Sequence, residues 1–345
     1  MTRWAIFDSK WFSELFGFEE GGPDEVRERF RLDGTVLHSK ANGRSFQCGH
    51  LEIPTLQQLR DAHPPEVQDQ DRLKVSVIGG NVVDLHADPR NAGALFQVAS
   101  QFNLLEMVAP DVTPEQGITR YAYDRTQGPI CAMACAAGLV YRNYFVPVNG
   151  RLGQTADNQI DCLDLIGEAL DREEQGLWRM RNGYVESDAA ALKHIAEVLG
   201  GMGTHDRERL KGLLKVGIQW NTEVTLTGAG HLVSQVYCSA LPVAYYPELL
   251  PPLWKPFAQL VLEATYEATF HAAVLNHTKH GNGRLYLTQV GGGAFGNRAA
   301  WIHDAIIAAL ERFRHYPLDV RIVCYNHVDV ALQAAVDRWQ AERGL

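Results

Sequence analysis

Long hydrophobic runs are missing from this chain. No apolar stretch approaches the roughly 20 residues that a membrane-spanning helix needs. The opening residues, MTRWAIFDSKWFSELFGFEE, carry acids instead of a basic start followed by an apolar block, so no secretory signal is expected and a cytoplasmic location is. An excess of positive charge is missing as well. The formal net charge is -9, which argues against DNA or RNA as a partner, because an acidic surface repels a phosphate backbone. A nucleotide ligand stays compatible, since a local nest of backbone N–H groups holds phosphate without basic side chains. Cysteine is sparse: six residues at 48, 131, 135, 162, 238 and 324, in no metal-ligand spacing. They read as buried reduced thiols, and no metal or cofactor is expected. Internal repeats and low-complexity tracts are lacking too.

What is present is an ordinary globular balance, 46% hydrophobic and 21% charged over 345 residues. At about 150 residues per domain, that length allows one large domain or two ordinary ones. Residues 1–34 read as a helical lead-in. Two β-rich runs follow, TVLHSKANGRSFQCGHLEI, flanking the turn pair Asn42-Gly43 and ending at Glu52. Thr55 then caps a short helix. HPPEVQDQD (63–71) reads as a polar linker, and LKVSVIGG as a buried strand. The run ALFQVASQFNLLEMV is helix-periodic. Residues 109–128 form a long loop, and PICAMACAAGLVYRNYF a small-residue helix. Residues 149–220 are charged and helix-rich, and read as an insertion or cap. The final third alternates strand and helix, which argues for an α/β layered fold with a largely parallel sheet.

One loop stands out. Gly291, Gly292, Gly293, Ala294, Phe295, Gly296 and Asn297 (GGGAFGN) lie between an apolar strand, RLYLTQV, and an amphipathic helix. Glycine permits close backbone approach and positive φ, so successive N–H groups can converge on an anion beside a helix N-terminus. Ligands of open α/β sheets sit at the carboxyl ends of strands, which is this position. A Walker lysine is absent, and the loop comes too late in the chain for a dinucleotide fingerprint.

The block around this loop resembles the last half of a macrodomain. In that family a long helix precedes a strand that ends in a G-[IV]-[FY]-G loop around the diphosphate of ADP-ribose. The resemblance implies a three-layer α/β/α core with a mixed, largely parallel sheet, formed by residues 35–148 and 221–345, with a helical subdomain inserted at 149–220. It makes Gly293 to Gly296 the clamp and puts Tyr325 and Asn326 beside the adenine or its ribose. On the same resemblance GHLEIPTLQQL supplies a first strand and helix, with Glu52 at the adenine-reading position. VSVIGGN supplies the next, with Gly80 and Asn81 near the distal ribose. Departures are clear: the first loop reads NVVDLHADPRNAG without the family's glycine triplet, and ALFQVASQF has no acid where the poly(ADP-ribose) glycohydrolase branch carries a glutamate pair. The nearest branch is that of the divergent, insertion-bearing macrodomains that remove ADP-ribose from arginine.

Hydrolysis at the distal ribose passes through an oxocarbenium-like transition state, so a carboxylate is needed nearby. The candidates are Asp84 and Asp88 in NVVDLHADPRNAG, and Glu115 and Asp124 in the long loop. Asp88 before Pro89 reads equally well as a turn residue; Asp124 can cap the following helix, but with Thr126 and Gln127 it makes a dense polar knot inside an aromatic loop, which favours a functional role. His86 reads as structural, because no second ligand follows at metal spacing. Asn91, Gln97 and Gln127 are candidates for ribose hydroxyls. Three functions follow from this set: an ADP-ribosylhydrolase acting on a modified protein, an ADP-ribose reader that cleaves nothing, and a hydrolase of a free ADP-ribose derivative. Carboxylates near an anionic ligand favour an enzyme, since a reader gains nothing from like-charge repulsion.

Overall fold

The computed structural model describes residues 8–62, 72–124 and 126–343. The polar linker expected at 63–71 and the first part of the lead-in lie outside the described residues. Seven strands form the central sheet: β1 (His50–Glu52), β2 (Lys74–Gly80), β3 (Leu95–Ala99), β4 (Gly217–Glu223), β5 (Leu232–Cys238), β6 (Arg284–Thr288) and β7 (Asp319–Tyr325), in the spatial order β1-β4-β5-β3-β6-β7-β2. Strands β5, β3, β6, β7 and β2 pair in parallel, and β4 runs antiparallel to both of its neighbours. The sheet is mixed and largely parallel, as expected.

Helices cover both faces. On one lie α1 (Leu56–Asp61), the 30-residue α6 (Pro251–His280), α7 (Ala299–Arg312) and α8 (Val330–Ala341). On the other lie α2 (Val82–Ala87) and α3 (Gln127–Ala134). Thr55 caps α1 through a reciprocal box: Gln58 N donates to Thr55 Oγ1 at 3.1 Å, and Thr55 N donates to Gln58 Oε1 at 2.8 Å. The stretch between α3 and β4 holds α4 (Ala189–Gly201) and α5 (Thr204–Gly212), together with two short hairpins, Pro147–Val148 with Arg151–Leu152 and Arg179–Arg181 with Tyr184–Glu186. The six cysteines are free and buried. No helix among the described residues is long and apolar enough to cross a membrane.

Two local expectations are overturned. The hairpin at Asn42-Gly43 forms, but His38 pairs with Ser45, so the connection is longer than a two-residue turn, and the hairpin joins a separate three-stranded sheet. More consequential is ALFQVASQFNLLEMV. Leu95–Ala99 is a strand at the centre of the sheet, and the chain leaves it as a turn, not a helix. A parallel strand buried on both faces reads as a continuous apolar run, which helix periodicity cannot tell from a buried helix.

Candidate functional site

A cavity of about 430 Å³ opens at the carboxyl ends of β3, β6 and β7, bordered by Ala99, Thr288, Val323 and Tyr325. Two chain segments make its opposing walls.

The first wall is the glycine loop after β6. Gly292 N donates to Gln289 O at 3.1 Å, Gly296 N to Gly293 O at 3.0 Å and Asn297 N to Gly291 O at 2.9 Å, which folds the loop back on itself. Gly291 and Gly296 have φ of 80° and 68°. A Cβ on Gly291 would come within 2.5 Å of the Ala240 Cβ, and one on Gly296 within 2.5 Å of the Ala244 Cβ, so no side chain fits at either position. Asn297 fastens the loop by donating from Nδ2 to Leu241 O at 2.8 Å, and Phe295 O accepts from Ala244 N at 3.0 Å. Among the described residues the amides of Gly293, Ala294 and Phe295 donate to no protein acceptor, and all three residues border the cavity. At Gly293 a Cβ would meet nothing within 4 Å. Free amides next to the start of α7 are the ingredients of an anion nest.

The second wall follows β3. Gln101 braces it, accepting from Met107 N at 2.7 Å and donating from Nε2 to Met107 O at 3.1 Å. Within this bracket Glu106 lines the cavity. Glu106 is 6% exposed, and its Oε1 is buried with no hydrogen-bond partner. Its carboxyl packs on Gly128 at the start of α3, where a Cβ would lie 2.5 Å from Oε2. Asp124 lines the same cavity and accepts from Thr126 N at 2.8 Å; Gln127 lines it with a buried Nε2 that has no partner. Burial pushes the Glu106 carboxyl well above the usual carboxylate range, the charge of Asp124 pushes the same way, and the Arg142 guanidinium opposes both. A carboxyl whose proton is held more tightly in this way is suited to serve as a proton donor.

Aromatic rings close one side. Tyr184 from the 149–220 stretch, Tyr245 and Phe295 form a cluster with ring centroids 5.2–5.6 Å apart. The Tyr184 hydroxyl donates to Met107 O at 2.8 Å, tying the stretch to the Glu106 wall. On the other side Tyr325 is 47% exposed at the cavity mouth. Beyond Asp124 a shallow depression is bordered by Val108, Arg120 and Tyr123.

The structure divides the residues chosen from sequence. Gly291, Gly292, Gly293, Ala294, Phe295, Asn297, Gln97, Asp124, Gln127 and Tyr325 line the cavity, and Gly296 turns the loop behind it. Gln97 lies in mid-strand with its amide committed: Nε2 donates to Thr269 Oγ1 at 3.0 Å and Oε1 accepts from Thr288 N at 3.1 Å. The others lie elsewhere. Glu52, on the far edge strand, accepts from Trp220 Nε1 at 2.9 Å. Gly80 and Asn326 meet at the opposite edge, where Asn326 N donates to Gly80 O at 3.2 Å, and Asn81 caps α2 through Val83 N at 3.1 Å. Asp84 sits on α2 and outside the cavity lining. Asp88 caps the turn at Pro89–Asn91, and hydrogen bonds from Arg90 hold its carboxyl down at about 2. Asn91 precedes β3, so it lies at the end of the sheet away from the cavity, where its Oδ1 accepts from Tyr286 at 2.8 Å and Arg284 at 2.9 Å. Glu115 accepts from Ala156 N at 2.9 Å, outside the cavity. For Asn81, Asp84, Asp88 and Asn91 the reason is shared: β2 is an edge strand two places from β6, whereas β3 is the neighbour of β6 and the chain after it lines the cavity. Glu106, Tyr184 and Tyr245 went unnoticed in the sequence. The signal for Glu106 was a lone acid in the apolar run NLLEMVA.

No family model matches this chain, and no curated protein matches it. Several solved structures do. A poly(ADP-ribose) glycohydrolase from Deinococcus radiodurans in complex with ADP-ribose is 12% identical, over 86% of this chain and 96% of that one, with a TM-score of 0.42. The poly(ADP-ribose) glycohydrolase from Thermomonospora curvata is 14% identical over 92% and 97%, with a TM-score of 0.43, and the same enzyme bound to the inhibitor ADP-HPD is 13% identical over 93% and 97%, with a TM-score of 0.42. Likeness this distant transfers no residue role.

Proposed function

We propose that the cavity binds ADP-ribose and that the chain is an ADP-ribosylhydrolase, cleaving the glycosidic bond between the distal ribose and a protein side chain. The observation that carries this reading is the convergence of a buried, unpartnered carboxyl, Glu106, and a loop of unused amides on one cavity. A volume of about 430 Å³ suits a ligand of nucleotide size. The diphosphate would take the amides of Gly293 to Phe295, and the adenosine end would lie toward Tyr325. The distal ribose would then face Glu106, Asp124 and Gln127.

The chemistry follows from the charge states. Glu106, protonated by virtue of its burial, gives its proton to the leaving atom as the C1–N or C1–O bond breaks. Positive charge develops on the ribose ring, and the Asp124 carboxylate stabilises it. Water adds to C1 and gives up its proton to Asp124, which yields free ADP-ribose and the unmodified side chain. Gln127, with a donor unused by protein, is placed to bind a ribose hydroxyl.

Release of ADP-ribose from arginine-modified and then from glutamate-modified protein, followed by chromatography, tests the reading. Turnover by wild type that is lost in Glu106→Gln supports it. Tight ADP-ribose binding with no turnover on either linkage would make the protein a reader instead.

A further inference from the structure

The wall that carries Glu106 contains a conformation that side chains avoid. Leu104, two residues before Glu106, has φ of 64°, in the left-handed region that costs a branched side chain energy. Strain of this kind persists only where the surroundings over-determine it. Here the surroundings are specific. Leu104 N donates to Gln101 O at 3.0 Å, Leu105 N donates to Asn103 Oδ1 at 3.1 Å, and the Leu104 side chain fills the space that a Cβ on Gly217 would occupy. Leu104 O accepts from Arg142 Nε at 3.2 Å.

Arg142 is an unusual residue for this duty. It is fully buried and lies in a π-helical turn, Tyr141–Phe145, a geometry that recurs at functional sites. Its guanidinium carbon sits 3.6 Å from the centre of the Tyr237 ring. Nη1 donates to Gln219 Oε1 at 3.4 Å, whereas Nη2 is buried and donates to no protein group. No carboxylate of the described residues lies within ion-pair distance of it. A neutral side chain would brace a carbonyl at less cost, because a buried charge without a counter-ion is strongly unfavourable. Among the described residues Glu106 is a buried carboxyl whose charge it counters, and that carboxyl also keeps an oxygen unpaired.

We propose that Arg142 is a positioning residue for Glu106: it locks the left-handed turn that aims the carboxyl into the cavity, and it supplies the fixed positive charge that lets this buried carboxyl ionise after giving up its proton. The proposal rests on the reading of Glu106 as the acid. The other groups that face Glu106 are Asp124, Tyr121, Cys131, Tyr184 and Tyr237. None of them carries positive charge, so among the described residues Arg142 is the cation that favours the carboxylate.

The test does not need activity. In protein labelled with ¹³C at the glutamate carboxyl, the resonance missing from Glu106→Gln identifies Glu106. Its titration midpoint should rise by at least one pH unit in Arg142→Met, or in Arg142→Gln if that variant folds better. A merely structural arginine would leave it in place. Arg142→Lys keeps the charge but loses the fork, so the midpoint should stay within half a unit while amide exchange at 104–107 speeds up at least tenfold. A midpoint that is the same in wild type and the neutral variants, or that is reached in neither up to pH 9, overturns the charge role. Wild-type exchange in Arg142→Lys overturns the hold on the turn. A shifted midpoint in a protein with no hydrolase activity would sink the proposed function and leave this inference standing.

Discussion

Glu106 shows how an ionisable side chain can be both costly and useful. Its neighbours in sequence are Leu105 and Met107, both buried, and its carboxyl lies against the start of α3. Replacing it with glutamine removes the proposed proton donor and keeps the shape, so turnover should fall about 100-fold or more while ADP-ribose affinity holds or improves. Single-turnover assays with calorimetry separate the two. The same residue sets a pH dependence. Folded Glu106 holds its proton more tightly than the unfolded chain does, so its drag on stability begins as pH rises above the ordinary glutamate value of about 4.3 and grows with pH. Glu106→Gln should therefore melt higher than wild type at pH 8 and no higher at pH 4. Equal melting shifts at both values would show that Glu106 is not a strained acid. In the sequence this residue was hidden by the strand beside it, since an apolar run with one acid was read as the face of a helix. Asp124 and Gln127, picked out as part of a dense polar knot in an aromatic loop, do line the cavity.

Among the elements, the glycine loop was the part most open to reading. Glycines that follow an apolar strand and precede an amphipathic helix imply close backbone approach, and the structure supplies the reasons at Gly291 and Gly296. Gly293 is different, because a Cβ there meets nothing within 4 Å. Gly293→Glu should leave the melting temperature within about 2 °C of wild type and abolish ADP-ribose binding by placing a negative charge over the amides. Gly296→Ala should lose stability first, from its positive φ and its contact with Ala244. If both variants bind ADP-ribose normally, the loop is only a turn. Strand order was the part that periodicity could not reach. Strands β2 and β3 are both apolar, and only pairing decides that β3 is central and β2 an edge. That decision puts residues 100–128, not 81–91, beside the glycine loop and leaves Asp84, Asp88 and Asn91 outside the cavity lining.

Across the whole molecule, the 149–220 stretch is fastened to the core by charge as well as by apolar packing. Glu267 on α6 is buried. It receives Arg60 of α1 at 2.7 Å, Arg312 of α7 at 3.1 Å and Lys211 of α5 at 3.3 Å. Burial alone would raise its carboxyl, but the nearby His271 imidazole, the hydrogen bond from Arg60 and the charges of Lys211 and Arg312 hold it far below the usual range. Glu267→Ala leaves Arg60 and Lys211 without their buried partner and should cost about 3–5 kcal/mol in urea unfolding. The wild-type contribution of Glu267 is present above the ordinary glutamate range and is lost as pH falls through the depressed value, so the difference between the two proteins should shrink in acid. None of this was legible in sequence, where the charged residues of α5 read only as part of a helix-rich insertion or cap. Lys211 turns inward to Glu267, and Glu208 pairs with Arg60, Lys211 and Arg312.

The claim on which the rest depends is that the cavity between Glu106 and the glycine loop holds ADP-ribose. Calorimetric titration of the full chain with ADP-ribose addresses it directly. Saturable one-site binding in the micromolar range, absent in Gly293→Glu and kept in Glu106→Gln, is the expected result. No heat of binding at millimolar ligand, from wild-type protein shown to be folded, would contradict it.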